Sequence, residues 1–182
     1  MTRCVLLILV LIYVWPVQAL EIEGNTLALP VSLIEDFSTL EEIELGSVRT
    51  CQDSVGLYEY KVCSEALRNE GNSPFILYSK GMPSANGKRQ IAPIVVLFHG
   101  LSDSPFYIRS IAEHLNEKGF TVVAPLMPGN GKLDAAKDMR DPNLQQRWYA
   151  HVDSIMSLVS PYSDKTYIGG FSTGGTLATR YM

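Results

Sequence analysis

Between residues 94 and 169, three short apolar runs alternate with two helical repeats, and this alternation leaves the chain few ways to fold. Ile94-Val95-Val96-Leu97-Phe98 is apolar without a break, as expected of a strand covered on both faces. Ser104 and Pro105 then suit a helix start, as cap and first-turn proline. Ile108, Ile111, Ala112 and Leu115 follow at i, i+3, i+4 and i+7, which predicts one buried helix face, and Gly119 ends the repeat. Phe120-Thr121-Val122-Val123-Ala124 reads as the next strand. After a loop rich in Pro, Gly and Asp (residues 125–142), Trp148, Val152, Ile155 and Val159 mark a second amphipathic helix, stopped by Pro161. Lys165-Thr166-Tyr167-Ile168-Gly169 is the third strand. Strand, helix, strand, helix, strand demands crossover connections, so the fold class is α/β, a mostly parallel sheet with helices on both faces. Phe75-Ile76-Leu77-Tyr78 adds a strand ahead of this series, and residues 81–90, with Asn86-Gly87, read as a turn.

The third strand runs straight into Gly170-Phe171-Ser172-Thr173-Gly174, a G-x-S-x-G pentapeptide. A serine hydroxyl is a poor nucleophile until a base can reach it. A sharp strand-to-helix turn lifts it clear of the sheet, and the first N–H groups of the new helix point at a developing oxyanion. Alone, the pattern is weak; its place at the end of a βαβ series strengthens it. His99-Gly100-Leu101 follows the first buried strand, where a loop can supply a second backbone N–H to the same oxyanion. The two segments are distant in sequence, yet the predicted sheet brings both to one edge.

With these blocks the sequence resembles the α/β-hydrolase superfamily, and within it the carboxylesterase and monoacylglycerol-lipase group, a branch related to serine aminopeptidases. The resemblance rests on residues 96–105, on Gly119-Phe120-Thr121-Val122-Val123-Ala124-Pro125, on Pro128-Gly129-Asn130-Gly131 and on residues 169–175; it covers residues 75–182. Asn130 departs from the pattern, since many relatives carry histidine between the two glycines. The resemblance implies Ser172 as nucleophile and the backbone N–H groups of Leu101 and Thr173 as the oxyanion hole. His99 and Gly100 belong to the oxyanion-loop motif. Gly170 and Gly174 make room where the turn crosses its neighbours, and Gly175 relieves packing of the following helix. It implies a serine hydrolase acting on small carboxylic esters, monoglycerides or lysolipids through an acyl-enzyme.

The acid and histidine of that family belong on loops after later strands, and Met182 is reached first, so the chain reads as the N-terminal portion of the fold, C-terminally truncated. Earlier residues do not replace them. His99 sits in the oxyanion loop, and His114 lies near the end of the first helix, as a surface residue. His151 and Asp153 are two apart on a helix and point in different directions, which predicts a solvated flank rather than a catalytic pair. The alternative function is a non-catalytic α/β-hydrolase-like binding protein, or an inactive truncated product.

The rest of the chain mostly excludes. At 182 residues, with a formal net charge of -4 and no basic stripe, nucleic acid is not an expected partner. Gly129-Asn130-Gly131-Lys132 fails as a phosphate loop, there is no dinucleotide fingerprint, and no Cys/His spacing suggests zinc; cofactor and metal are expected to be none. Met1-Thr2-Arg3, an apolar run from Cys4 to Trp15 and Ala19 read as a signal peptide over residues 1–19. The expected location is therefore exported, periplasmic or secreted, the alternative being anchorage by an uncleaved N-terminus. Cleavage would leave Cys51 and Cys63, an even pair that fits a disulfide in an exported chain. Residues 20–70 read as an N-terminal extension or a cap, ahead of a hydrolase domain over residues 71–182; Leu33, Ile34, Phe37 and Leu40 have approximate helical spacing.

Overall fold

The computed structural model describes residues 21–22, 25–26, 31–52, 58–79 and 92–182. The expected leader over residues 1–19 and the turn around Asn86-Gly87 lie outside the described residues. In chain order, β1 (Glu21–Ile22) pairs with β2 (Asn25–Thr26), and α1 (Val31–Leu45) follows. Then come β3 (Arg49–Thr50), β4 (Glu59–Cys63), β5 (Phe75–Leu77), β6 (Ile94–Phe98) and α2 (Arg109–Glu117). The last elements are β7 (Thr121–Ala124), α3 (Ala135–Asp138), α4 (Leu144–Val159), β8 (Thr166–Gly170) and α5 (Thr173–Tyr181).

Six strands form one mixed sheet in the order β3-β4-β5-β7-β6-β8. The predicted βαβ series is its parallel part, with β6 between β7 and β8. From β5 back to β3 each pairing is antiparallel. The reason is connectivity: the parallel strands are joined by helical crossovers, whereas among the described residues the segments linking β3, β4 and β5 carry no helix long enough for one.

Every residue of β6 is buried, and its alternating side chains divide between two cores. Ile94, Val96 and Phe98 join Leu33 and Phe37 of α1, Val152, Ile155 and Val159 of α4, and Leu177 of α5. Val95 and Leu97 face the opposite way, onto Ile108 and Ala112. Each such fully buried side chain contributes about 1.5–3 kcal/mol, so these two layers outweigh any single polar contact. One expectation fails here: Ile111 is 53% exposed. Ser104 and Pro105 open a 3-10 turn over Pro105–Ile108 before α2 begins, and Ile111 falls on the rim of the stripe defined by Ile108, Ala112 and Leu115.

The described residues of 31–63 join the main body of the fold. α1 packs on α4 while β3 and β4 widen the sheet. Cys51 and Cys63 are joined by a disulfide, Cα to Cα 5.0 Å, that ties the chain after β3 to the end of β4. Arg147 of α4 gathers Glu44 of α1 (2.5 Å), Asp138 (3.1 Å) and Asp141 (3.0 Å), and Lys132 adds a 2.6 Å contact to Asp138. Partial burial would raise the Asp138 pKa; the two cations overcome this and hold it below the ordinary carboxylate range. Among the described residues no helix is long and apolar enough to cross a membrane.

Candidate active site

The parallel strands β6 and β8 end side by side, with Phe98 level with Gly170 and the Phe171 N–H donating to the Phe98 carbonyl (3.0 Å). At this crossing there is no room for side chains. A Cβ on Gly170 would press on the backbone of Gly174 and lie 2.7 Å from the Phe98 carbonyl oxygen; a Cβ on Gly174 would collide with that same oxygen and lie 2.6 Å from the His99 oxygen. Both contacts are with backbone, which cannot step aside. A Cβ on Gly175 would lie 3.1 Å from the Gly170 oxygen, a milder demand.

Between these glycines Ser172 adopts φ 51°, ψ −116°, a conformation that costs an L-residue about 1–3 kcal/mol. The turn leaves Ser172 exposed at the start of α5, and its hydroxyl has no hydrogen-bond partner among the described residues. Thr173 is the first residue of α5, so its N–H has no intrahelical acceptor.

The facing loop is held by side chains. His99 is fully buried; its Nδ1 donates to the Gly100 carbonyl (2.8 Å) and its Nε2 accepts from the Met127 N–H (3.0 Å). Those partners fix a neutral imidazole with the proton on Nδ1. Burial lowers its pKa to about 4, against the opposing pull of the Gly100 carbonyl and Asp103. In a trans peptide the carbonyl and the next N–H point opposite ways, so pinning the Gly100 oxygen toward His99 turns the Leu101 N–H away from it. Ser102 follows with φ 61°, and its N–H donates to Asn130 Oδ1 (2.8 Å). Neither the Leu101 nor the Thr173 N–H has an acceptor among the described residues. Phe171 closes the contact between loop and turn: a Cβ on Gly100 would lie 3.2 Å from its ring and 2.7 Å from Asp103 Oδ2.

Buried side chains clamp the neighbouring loop. Asn130, the departure from the family pattern, is buried: its Nδ2 donates to the Met127 (3.3 Å) and Pro128 (3.1 Å) carbonyls while its Oδ1 accepts from the Ser102 N–H. Trp148 Nε1 donates to the Pro128 oxygen (2.9 Å), and buried Glu41 Oε1 accepts from the Leu126 N–H (3.2 Å). Burial drives the Glu41 carboxyl well above its ordinary pKa, although the Leu126 N–H pulls it down. The only advance sign was a polar residue on an otherwise apolar stripe or between two glycines.

None of the three histidines is hydrogen-bonded to Ser172. His114 is exposed and sits 3.9 Å from Glu117. His151 corrects the expectation of a solvated flank: it is 7% exposed, because α1 covers that side of α4, and burial followed by the neighbouring His99 lowers its pKa to about 3. Asp153 is exposed, on a different side of the helix, as expected. The arrangement offers a strained, accessible serine, two backbone N–H groups without acceptors (Leu101 and Thr173) on adjoining segments, and among the described residues no base bonded to the serine.

A family model described as the alpha/beta hydrolase fold matches residues 93–182. No curated protein shows significant similarity to the chain. Among solved structures, one reported with the metagenome-derived lipolytic enzymes LipS and LipT is 27% identical over 57% of this chain and 37% of its own, with a TM-score of 0.44. Acetyl xylan esterase 1 from Thermoanaerobacterium sp. JW/SL YS485 is 17% identical over 84% of this chain and 54% of its own, TM-score 0.49. An evolved variant of potato epoxide hydrolase StEH1 is 15% identical over 72% and 34%, TM-score 0.43. The chain thus spans between 34% and 54% of the length of these three. Residues 93–182, which the family model matches and which carry the parallel strands and the two loops at their ends, are a portion of an α/β-hydrolase fold.

Proposed function

We propose that this chain carries the nucleophile and oxyanion hole of a serine hydrolase acting on carboxylic esters, with its acid and histidine supplied from outside residues 1–182. One observation carries the reading: Ser172 is held at φ 51° between glycines, exposed, where the uncommitted N–H groups of Leu101 and Thr173 belong to adjoining segments. In the proposed reaction Ser172 Oγ attacks the ester carbonyl as a histidine takes its proton. The two N–H groups hold the oxyanion, the alcohol leaves with that proton, and water then releases the acid from the acyl-enzyme. Small esters, monoglycerides and lysolipids are the proposed substrates, as for the carboxylesterase and monoacylglycerol-lipase group. The leader-like N-terminus and the Cys51–Cys63 pair support an exported location.

The second reading, a binding protein without catalysis, is favoured by the absence of any base bonded to Ser172 among the described residues. p-Nitrophenyl ester turnover separates the two, measured beside a Ser172→Ala control for the 182-residue chain and for any longer form encoded by the same gene. The expected result is no Ser172-dependent turnover by the short chain and clear dependence in the longer one. Turnover by the short chain would overturn the external base, and independence from Ser172 in the longer form would overturn the hydrolase.

A further inference from the structure

The oxyanion loop brings an unpaired carboxylate to the crossing beside Ser172. Asp103 Oδ2 and Phe171 Cδ1 approach the same face of Gly100, 2.7 and 3.2 Å from where its Cβ would stand, which puts them within about 6 Å of each other. The Asp103 N–H donates to the Gly100 carbonyl (3.3 Å), a tight turn that brings the side chain back over that glycine. Asp103 is half-buried, and its carboxylate has no ion pair or hydrogen bond among the described residues. Burial keeps the His99 imidazole neutral against the upward pull of Asp103, so His99 does not offset the charge. Phe171 is 60% exposed, which leaves most of its ring open to solvent. Both groups adjoin the reacting atoms. Phe171 immediately precedes Ser172, and Leu101, with its free N–H, immediately follows Gly100. Covalent geometry alone keeps the Leu101 nitrogen within ~7 Å of the Asp103 carboxylate.

An unpaired carboxylate beside an open aromatic ring selects by charge. It repels an anionic ester, and it gives a neutral one nothing that water does not. A metal ion wants several oxygen ligands, and this place has one carboxylate. An ammonium group gains from both partners. Its attraction to a carboxylate ~4 Å away is worth about fivefold in binding even at the dielectric of water, and the face of an exposed ring adds about two- to fivefold. A quaternary ammonium fits best, since it has no N–H left without an acceptor and its methyl groups can lie on the ring. We propose that Asp103 and Phe171 form a subsite for an ammonium group, carried a short spacer away from the ester carbonyl that Ser172 attacks. The ester part rests on the hydrolase reading; the binding of the cation does not.

The test is an NMR titration of the 182-residue chain with choline and with neohexanol, in which carbon replaces the ammonium nitrogen, at constant ionic strength. The amides of Leu101, Phe171 and Ser172 report on the subsite. Saturable shifts are expected with choline, at a Kd on the order of 10 mM and about tenfold tighter than neohexanol. Asp103→Asn should cut that preference about fivefold, and Phe171→Leu, which keeps an apolar side chain against Gly100, about two- to fivefold. Equal binding of choline and neohexanol overturns the proposal, as does a preference that survives Asp103→Asn or the absence of any choline shift at these amides. The comparison of the two ligands on the unaltered chain stands even where a variant fails to fold. In the form that turns over p-nitrophenyl esters, acetylcholine should exceed neohexyl acetate in kcat/KM by a margin that Asp103→Asn removes. Choline binding beside Ser172-independent cleavage would remove the hydrolase and leave the subsite. Ser172-dependent cleavage with no preference for acetylcholine would remove the subsite and leave the hydrolase.

Discussion

Two loops meet at the ends of the parallel strands, and they are held by opposite means. The crossing of residues 98–100 with 170–174 is backbone against backbone, made possible by glycines and closed by the Phe171 to Phe98 hydrogen bond. The loop after β7 is held by side chains sent from elsewhere: Glu41 from α1, His99 from the end of β6, Trp148 from α4 and Asn130 from the loop itself. Steric exclusion makes the first kind of joint rigid and independent of pH. Hydrogen bonds to buried titratable groups make the second kind responsive to protons and gradually weakened by substitution.

The sharpest way to break the contrast is Gly174→Val. Its side chain has only backbone to meet, so we expect a loss of more than ~4 kcal/mol, read as failure to give a cooperative urea transition. A tolerated valine would mean that the crossing has slack which the structure does not show.

Acid should strain the parts of the fold that rest on buried titratable groups and leave the glycine crossing alone. The folded pKa values of His99 and His151, about 4 and about 3, lie below the unfolded value of ~6.5. The unfolded chain therefore binds protons that the folded one refuses: stability is full above pH ~6.5 and falls as pH drops toward 4, by on the order of 3 kcal/mol for His99 alone. Glu41 works the other way, its raised pKa favouring the folded state in acid, so the net fall is smaller than the histidines' sum. His151 Nε2 has no hydrogen-bond partner among the described residues, which makes His151→Leu an informative control. Urea midpoints between pH 7.5 and 4.5 should fall less steeply in that variant, by about one proton's worth of slope; an unchanged slope would show that His151 is not the buried neutral group described.

Asn130→Ala is a smaller break. It frees the Ser102 N–H and two loop carbonyls, which predicts a loss of about 1–3 kcal/mol and faster amide exchange at Ser102, with the Gly170–Gly174 turn unaffected. Equal acceleration in both segments would mean that the two joints are one cooperative unit.

The same contrast explains what could be read from the sequence. β6, β7, β8 and α4 were legible because a continuous apolar run and a 3.6-residue repeat are local signals, and the Gly170–Gly174 turn because its glycines answer a local steric need. The role of residues 31–63 was not. Helical spacing of Leu33, Phe37 and Leu40 gives a face without naming the surface that it covers, and an acid at position 41 reads as solvent-facing until Leu126 is placed beside it. His151 was misjudged for the same reason, since its burial comes from α1, and Ile111 because a 3-10 turn shifted the start of its helix. Asn130 and His99 act across 28 residues, a distance at which no spacing rule operates.

The backbone angle at Ser172 has a further consequence for how such a turn persists. Glycine would occupy φ 51° without strain, so Ser172→Gly should fold more tightly than the original, with a gain of about 1 kcal/mol visible as a higher Tm. A lineage shaped by robustness alone would drift toward that glycine and erase its own hydroxyl. The serine is an unstable occupant of its address, kept there only while something outside the folding equilibrium rewards it.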